Sequence, residues 1–200
     1  MRASKLLLFS LLFTTCGFAQ GGGCLLRASA AGPVRLGMTF KQARAALQGF
    51  KLTPSEDSEK LPILIVMHDK TRIMDIYGDE EGVKDSSKIE DFRVYDPTCR
   101  TADRVHVGLL ISEVEKIYGR VTRMLVTDTD KLEEAEFEKQ PDWIQIEVGH
   151  GEAGVYPKGK RCSKQYVPTA RVISVWVSHP GVPKAPNDDN TCNVPASQKH

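Results

Sequence analysis

One short stretch occurs twice in this chain, and it constrains the fold more than any other feature. Val34-Arg35-Leu36-Gly37-Met38-Thr39-Phe40 and Val105-His106-Val107-Gly108-Leu109-Leu110-Ile111 align without a gap on Gly37 and Gly108. Apolar meets apolar at Val34/Val105, Leu36/Val107, Met38/Leu109, Phe40/Ile111, Ala43/Val114, Ala46/Ile117 and Leu47/Tyr118. Each copy reads as an extended segment, a glycine turn and an amphipathic helix that stops at a glycine, Gly49 or Gly119. Thr39 followed by Gln42 is a capping-box pattern for the first helix, expected over about residues 40–48. The second copy has Leu110 where the first has its capping threonine. Ser112 with Glu115 offers a box two residues later, so that helix starts late or is uncapped.

Downstream of each helix the periodicity changes from helical to alternating. Leu61 to Met67 is apolar and β-branched, Arg72 to Tyr77 alternates after a His68-Asp69-Lys70 turn, and Ile89 to Tyr95 alternates again. In the second half, Val121 to Thr127, Trp143 to Val148 and Ala170 to Ser178 read as strands. Lys51 to Lys60 is polar and carries a proline, so it reads as a loop. The acid-rich Asp128 to Gln140 reads as a loop with at most a helical turn. Short loops between strands imply antiparallel pairing. The expected architecture is α+β: two tandem helix-plus-antiparallel-meander repeats with the helices packed on one face of an antiparallel sheet. The repeats span residues 33–98 and 99–178, preceded by a loose segment at 20–32 and followed by a fraying tail at 179–200.

Residues 1–19 stand outside this scheme. Met1-Arg2 and Lys5 supply a positive start, Leu6 to Phe13 a short apolar run, and Gly17-Phe18-Ala19 small residues for cleavage, the anatomy of a secretory signal. The apolar run is too short to span a bilayer. A lipoprotein signal, with Cys16 or Cys24 acylated, is the alternative; Thr14-Thr15 and the three glycines before Cys24 fit it poorly. Four cysteines follow the signal: Cys24, Cys99, Cys162 and Cys192. An even count in an exported chain reads as two disulfides with three pairings open. The expected pairs are Cys99 with Cys162 and Cys24 with Cys192, against a competing reading in which Cys24 or Cys192 is a free thiol in a loose end. The formal net charge of +1, with both signs interspersed, excludes the basic face that a nucleic-acid partner requires.

The Gly37-Met38-Thr39 turn with its helix, repeated less faithfully at Gly108-Leu109-Leu110, resembles the β-lactamase inhibitory protein and the small lipoprotein of the outer-membrane assembly machinery. The tandem copy is closer to the inhibitor. The resemblance covers about a dozen residues per copy as motif; it implies an exported protein of that topology and transfers no binding target.

Catalytic signatures are missing from the sequence. There is no nucleophile elbow, no H-E-x-x-H, no glycine-rich phosphate loop, no EF-hand pattern and no C-x-x-C. Asp128-Thr129-Asp130 reads as a solvated acidic loop rather than a metal site. His68 beside Asp69 and His150 beside Glu152 are candidate acid/base pairs for a hydrolase, each in a turn where polar residues collect anyway. No cofactor or metal is expected. Trp143 and Trp176 are more readily core residues than exposed binding residues. The candidate binding loop is basic and flanked by aromatics: Tyr156, Lys158, Lys160, Arg161, Lys164 and Tyr166. Its competing reading is an ordinary solvated loop.

The function expected from these features is an exported, non-enzymatic binding or inhibitor-like module of the bacterial envelope, periplasmic or secreted. Its partner is another envelope or extracellular protein, without nucleic acid or a membrane span. A structural assembly protein of the envelope, lipid-anchored or not, and an unrecognised hydrolase are the alternatives.

Overall fold

A computed structural model describes residues 24–127 and 131–181. The signal segment, Cys16, the Asp128-Thr129-Asp130 triplet and Cys192 lie outside the described residues. Three two-residue strands come first: β1 (Leu26–Arg27), β2 (Ala30–Ala31) and β3 (Val34–Arg35). They form a small antiparallel sheet, whose first two strands fall in the segment read as loose from the sequence. Helix α1 (Phe40–Ala46) follows with the capping box complete: Thr39 Oγ1 accepts the Gln42 N–H at 3.2 Å, and Gln42 Oε1 accepts the Thr39 N–H at 2.9 Å.

The first run of long strands is β4 (Lys51–Glu56), β5 (Pro62–His68), β6 (Thr71–Gly78) and β7 (Ile89–Val94). Helix α2 (Ile111–Tyr118) then precedes β8 (Val121–Val126), β9 (Glu133–Phe137), β10 (Ile144–Gly149), β11 (Cys162–Ser163) and β12 (Ser174–Val177). Nine strands form one antiparallel sheet in the order β11-β8-β9-β10-β12-β7-β6-β5-β4. Its seam is the β12–β7 pair, with Val175 opposite Val94 and Trp176 opposite Arg93.

The two glycine turns are locally alike. The Gly37 N–H donates to Ile89 O at 2.7 Å and the Gly108 N–H to Val172 O at 2.8 Å, both glycines at positive φ. That local likeness does not extend to the expected fold class. The expectation of α+β tandem repeats built on packed helices is overturned: the described chain is mostly β, twelve strands against two helices of seven and eight residues.

The reason lies in segments whose composition hid their pairing. Lys51–Glu56, expected to be a loop, is an edge strand, where only one side needs ladder bonds and Pro54 is tolerated. Glu133–Phe137, expected to be loop or helical turn, is an interior strand with Ala135 and Phe137 buried. The second helix does not use the Ser112–Glu115 box; Glu113 Oε2 accepts the Leu110 N–H instead, at 2.9 Å.

The core fills one face of the large sheet. Leu64, Val66, Ile76, Phe92, Val94 and Val175 are among its fully buried members, and it takes in Phe40 and Ala43 of α1, Ile111 and Val114 of α2, and Val34 of the small sheet. Cys24 is bonded to Cys99, a sequence separation of 75. This overturns the expected Cys99–Cys162 and Cys24–Cys192 pairs. Residues 24–26 run beside residue 100, with the Leu26 N–H on Arg100 O and the Arg100 N–H on Cys24 O, both 2.8 Å, and that pairing brings the two sulfurs together. Cys162 is disulfide-bonded as well. No helix among the described residues is long and apolar enough to cross a membrane.

Candidate functional site

Strand alternation sends every second side chain to the sheet face opposite the core. Register places Asp75 beside Arg93, Arg93 beside Trp176 and Trp176 beside Gln145, one row across β6, β7, β12 and β10. A neighbouring row sets Ser174 opposite Glu147 and Glu147 opposite Glu134. This second face is therefore polar and aromatic, where the first is apolar.

Its charges are paired and desolvated. Asp75, fully buried, accepts Arg72 Nε at 2.6 Å and Nη2 at 2.5 Å, and the Tyr95 hydroxyl at 2.6 Å. Glu147, 2% exposed, accepts Arg93 Nε at 2.6 Å and the Ser174 hydroxyl. Arg123 pairs with Glu136. Burial by itself would lower the Arg93 pKa, but Glu147 and Tyr95 more than reverse this and hold the guanidinium charged. Burial, then the neighbouring Asp75 charge, raises the Tyr77 and Tyr95 hydroxyls well above the ordinary tyrosine range.

Aromatic rings bracket the arginine. The Arg93 guanidinium carbon lies 5.7 Å from the Tyr95 ring centre and 6.0 Å from that of Trp176, within the range of cation–π attraction. Trp176 and Tyr77 stand 4.6 Å apart, tilted by 36°. Two hollows open over these groups, of about 410 and 450 Å³, and share Asp57, Ser58, Tyr77 and Arg93. The β4–β5 turn overhangs both. Leu61, Leu125 and Leu132 also line the first, while Arg72, Tyr95 and Ile173 line the second. Both volumes fall within the range typical of ligand sites.

The binding loop expected from sequence lies elsewhere. Lys158, Lys160, Arg161 and Lys164 are exposed, but none of the six loop residues lines either hollow. The aromatics that flank the loop are structural. The Tyr156 hydroxyl donates to Glu133 Oε1 at 2.8 Å, and the Tyr166 hydroxyl to Glu115 Oε2 at 2.7 Å. Glu133 is fully buried and also accepts the N–H groups of Gly151, Ala153 and Gly154 at 2.6–2.8 Å. One carboxylate thus organises the whole 149–156 turn. A carboxylate surrounded by donors in this way is a scaffold element.

The histidines are dispersed. His68 is exposed with its ring 5.6 Å from Phe50, and the backbone N–H of His150, not its ring, donates to Glu152. His150 lines the second hollow. Trp143 is half-buried against the core, and Trp176 is half-buried on the open face. The sequence argument favours Trp176 as a core residue and does not single out Arg93, Tyr77 or Glu147. The available signal was their phase: each occupies the polar phase of an alternating strand that must also carry large or charged groups.

No protein-family model matches the chain, and no curated protein matches its sequence. Among solved structures the chain is similar to the crystal structure of the uncharacterized protein yfeY from Escherichia coli, with a TM-score of 0.56 and 17% identity over 78% of this chain and 99% of that one. At that identity the likeness is one of fold.

Proposed function

We propose that this protein is an exported, non-enzymatic binding module of the bacterial envelope, and that the open sheet face is where it holds a partner protein. The observation that carries this reading is the pair of adjoining hollows that share Tyr77 and Arg93, with Trp176 in the first, beneath the overhanging β4–β5 turn. Aromatic and arginine side chains held rigidly in a recess are the anchors that protein interfaces favour. The arginines there are bonded to carboxylates, an arrangement suited to holding a shape. Export is supported by the signal-like start and by the Cys24–Cys99 bond, which an oxidising compartment permits. The resemblance of the glycine turns to an exported inhibitor points the same way.

The test is capture from an envelope fraction by the immobilised protein, run beside a Trp176→Ala, Leu61→Asp variant whose near-ultraviolet circular dichroism is native apart from the lost indole. Proteins retained by the wild type and lost by the variant are expected. Identical sets retained by both would remove the open face from the reading.

A further inference from the structure

We infer that Cys162 is bonded to Cys192, and that residues 182–191 are thereby strapped across the open face of the sheet, beside the first hollow. The inference stands on the cysteines and on strand register, and does not depend on the binding reading above. The chain has five cysteines. Cys24 and Cys99 are bonded to each other, and Cys162 is disulfide-bonded too, which leaves Cys16 and Cys192 as its two candidate partners. Cys16 is excluded by reach. Cys24 packs with Val66, Ile73 and Met74 of β5 and β6, on the core side of the sheet. Cys16 precedes it by eight residues, a span of at most about 29 Å fully extended. Six strand spacings separate β6 from β11, again about 29 Å, and the path would then have to round the sheet edge to the other face. Cys16 also lies in the segment read as removed on export.

Register puts Cys162 on the open face. Cys162 stands opposite Leu125, Leu125 opposite Glu134, and Glu134 opposite Glu147; residues directly opposite share a face. Leu125, Glu134 and Glu147 all line the first hollow, whereas the alternate residues Met124 and Ala135 belong to the core. Cys162 is only 3% exposed, although it lies on an edge strand and outside the core. It needs cover on that face, and a bonded cysteine with its flanking residues supplies it. The exit of the chain from β12 fits this path. The Ser178 N–H donates to Trp143 O at 3.1 Å and the Gly181 N–H to Asp142 Oδ2 at 3.2 Å, so Gly181 lies at the entry to β10. Cys162 is three strand spacings away, about 14 Å, and three residues along the strands, about 10 Å. Cys192 is eleven positions after Gly181. With Pro183 and Pro186 favouring extended chain, that length spans about 34 Å. The line from Gly181 to Cys162 crosses β10, β9 and β8, so the strap walls the first hollow. Closing the bond joins the two sulfurs; two protons and two electrons pass to an oxidised dithiol carrier of the exporting compartment, which leaves as the dithiol.

Two measurements on the full chain test the bond and the path. Tryptic digestion without reduction should yield the peptide Cys162–Lys164 linked to Ala185–Lys199. Recovery of Cys162 or Cys192 as a thiol, or of Cys162 linked to Cys16 or to a second Cys162, would overturn the inference. For the path, photoreactive benzoylphenylalanine is placed at Asn187. Irradiation should join residues 185–199 to peptides that carry β8, β9 or β10, and Cys192→Ser should lose most of that yield. Crosslinks confined to α1 or α2, no crosslink at all, or an undiminished yield in the Cys192→Ser protein would each overturn the strap. The digestion needs no variant, so it decides the bond even where a variant fails to fold. Neither measurement involves a partner. Capture from the envelope fraction that is independent of Trp176 would remove the binding reading and leave the strap in place, while a Cys162–Cys16 bond would remove the strap and leave the binding reading.

Discussion

The Arg93–Glu147 pair allows a prediction that separates stability from surface chemistry. Arg93 sits on β7 and Glu147 on β10, on either side of β12, with side chains 14% and 2% exposed. Arg93→Met removes the Nε–H that Glu147 accepts and breaks the buried pair from one side. Removing one partner of a buried pair costs about 3–5 kcal/mol, a large share of the roughly 5–15 kcal/mol that holds a typical domain together. Glu147→Leu strands the guanidinium instead; Arg93 is the more exposed of the two, so that loss should be the smaller. The double variant Arg93→Met, Glu147→Leu removes both desolvation costs and fills the site with side chains of similar volume. It should lie within about 1 kcal/mol of the wild type, even after the ring contacts of Arg93 are lost. The assay is a double-mutant cycle by urea unfolding, followed by far-ultraviolet circular dichroism with the disulfides intact. The reasoning is refuted if Arg93→Met costs less than about 1 kcal/mol, or if the double variant loses the sum of the two single losses.

Three further predictions test the scaffold. Replacing Cys24 and Cys99 together by alanine releases a closed loop with a sequence separation of 75 and should cost about 4.5 kcal/mol on chain-entropy grounds; a urea midpoint that barely moves would contradict it, and non-reducing peptide mapping should recover the two cysteines linked. Gly78→Ala should destabilise by about 3 kcal/mol, because its Cβ would sit 2.2 Å from Gly82 O and 2.9 Å from the Phe40 ring; a variant with native thermal stability would show that the 78–82 turn yields freely. Alkaline titration should find no tyrosine ionising near its ordinary pH of about 10 while the fold persists, since burial raises Tyr77, Tyr95, Tyr118 and Tyr156, and pushes Tyr166 up to about 12. The unfolded chain gives up these protons first, so stability is unaffected below about pH 9 and falls as pH rises from 10 toward 12. Phenolate absorbance rising near pH 10 with unchanged circular dichroism would refute the burial argument.

What the sequence made legible was local. The Thr39–Gln42 box, the Gly119 stop of α2 and the β5–β6 hairpin are written in neighbouring residues, and the structure has them where composition and periodicity put them, whereas α1 ends at Ala46 with Leu47 as its cap, short of the expected stop at Gly49. The phase of β7 was readable only in part: Phe92 and Val94 face the core opposite Arg93, but Ile89, expected on the side of Arg93 and Tyr95, is buried in the core beside a register shift. The failures concern relations between distant segments. Pro54 argues against a strand only if both sides need ladder bonds, and whether a segment lies at an edge is decided by topology. The acids of β9 concealed an alternation whose inward members are Ala135 and Phe137. Disulfide pairing depended on residues 24–26 lying beside residue 100, which no local pattern encodes. Tyr156 and Tyr166 beside lysines resembled a recognition loop because their partners, Glu133 and Glu115, are 23 and 51 residues away. The candidate site fails the same test of distance: Tyr77, Arg93 and Trp176 meet only because β7 pairs with β12 at the seam.

That seam gives the open face its argument. A sheet face left to solvent ordinarily carries scattered polar groups that cost little, since exposed ion pairs contribute about 0–1 kcal/mol and need no partner. Here the face carries Asp75 and Glu147 almost wholly removed from water, each bonded to an arginine. Buried pairs of this type are poor stabilisers relative to apolar packing of the same volume. What they do supply is rigidity: Glu147 fixes the Arg93 guanidinium against two ring faces, and Asp75 fixes the Tyr95 hydroxyl next to it. Stability and binding should therefore respond differently to the same change. The Arg93→Met, Glu147→Leu protein should unfold at nearly the wild-type urea concentration and yet lose the capture of envelope proteins that depends on Trp176, because the rings lose the group that sets their spacing. If stability and capture decline together, the pairs are part of the scaffold, and the hollow above them is a by-product of sheet curvature.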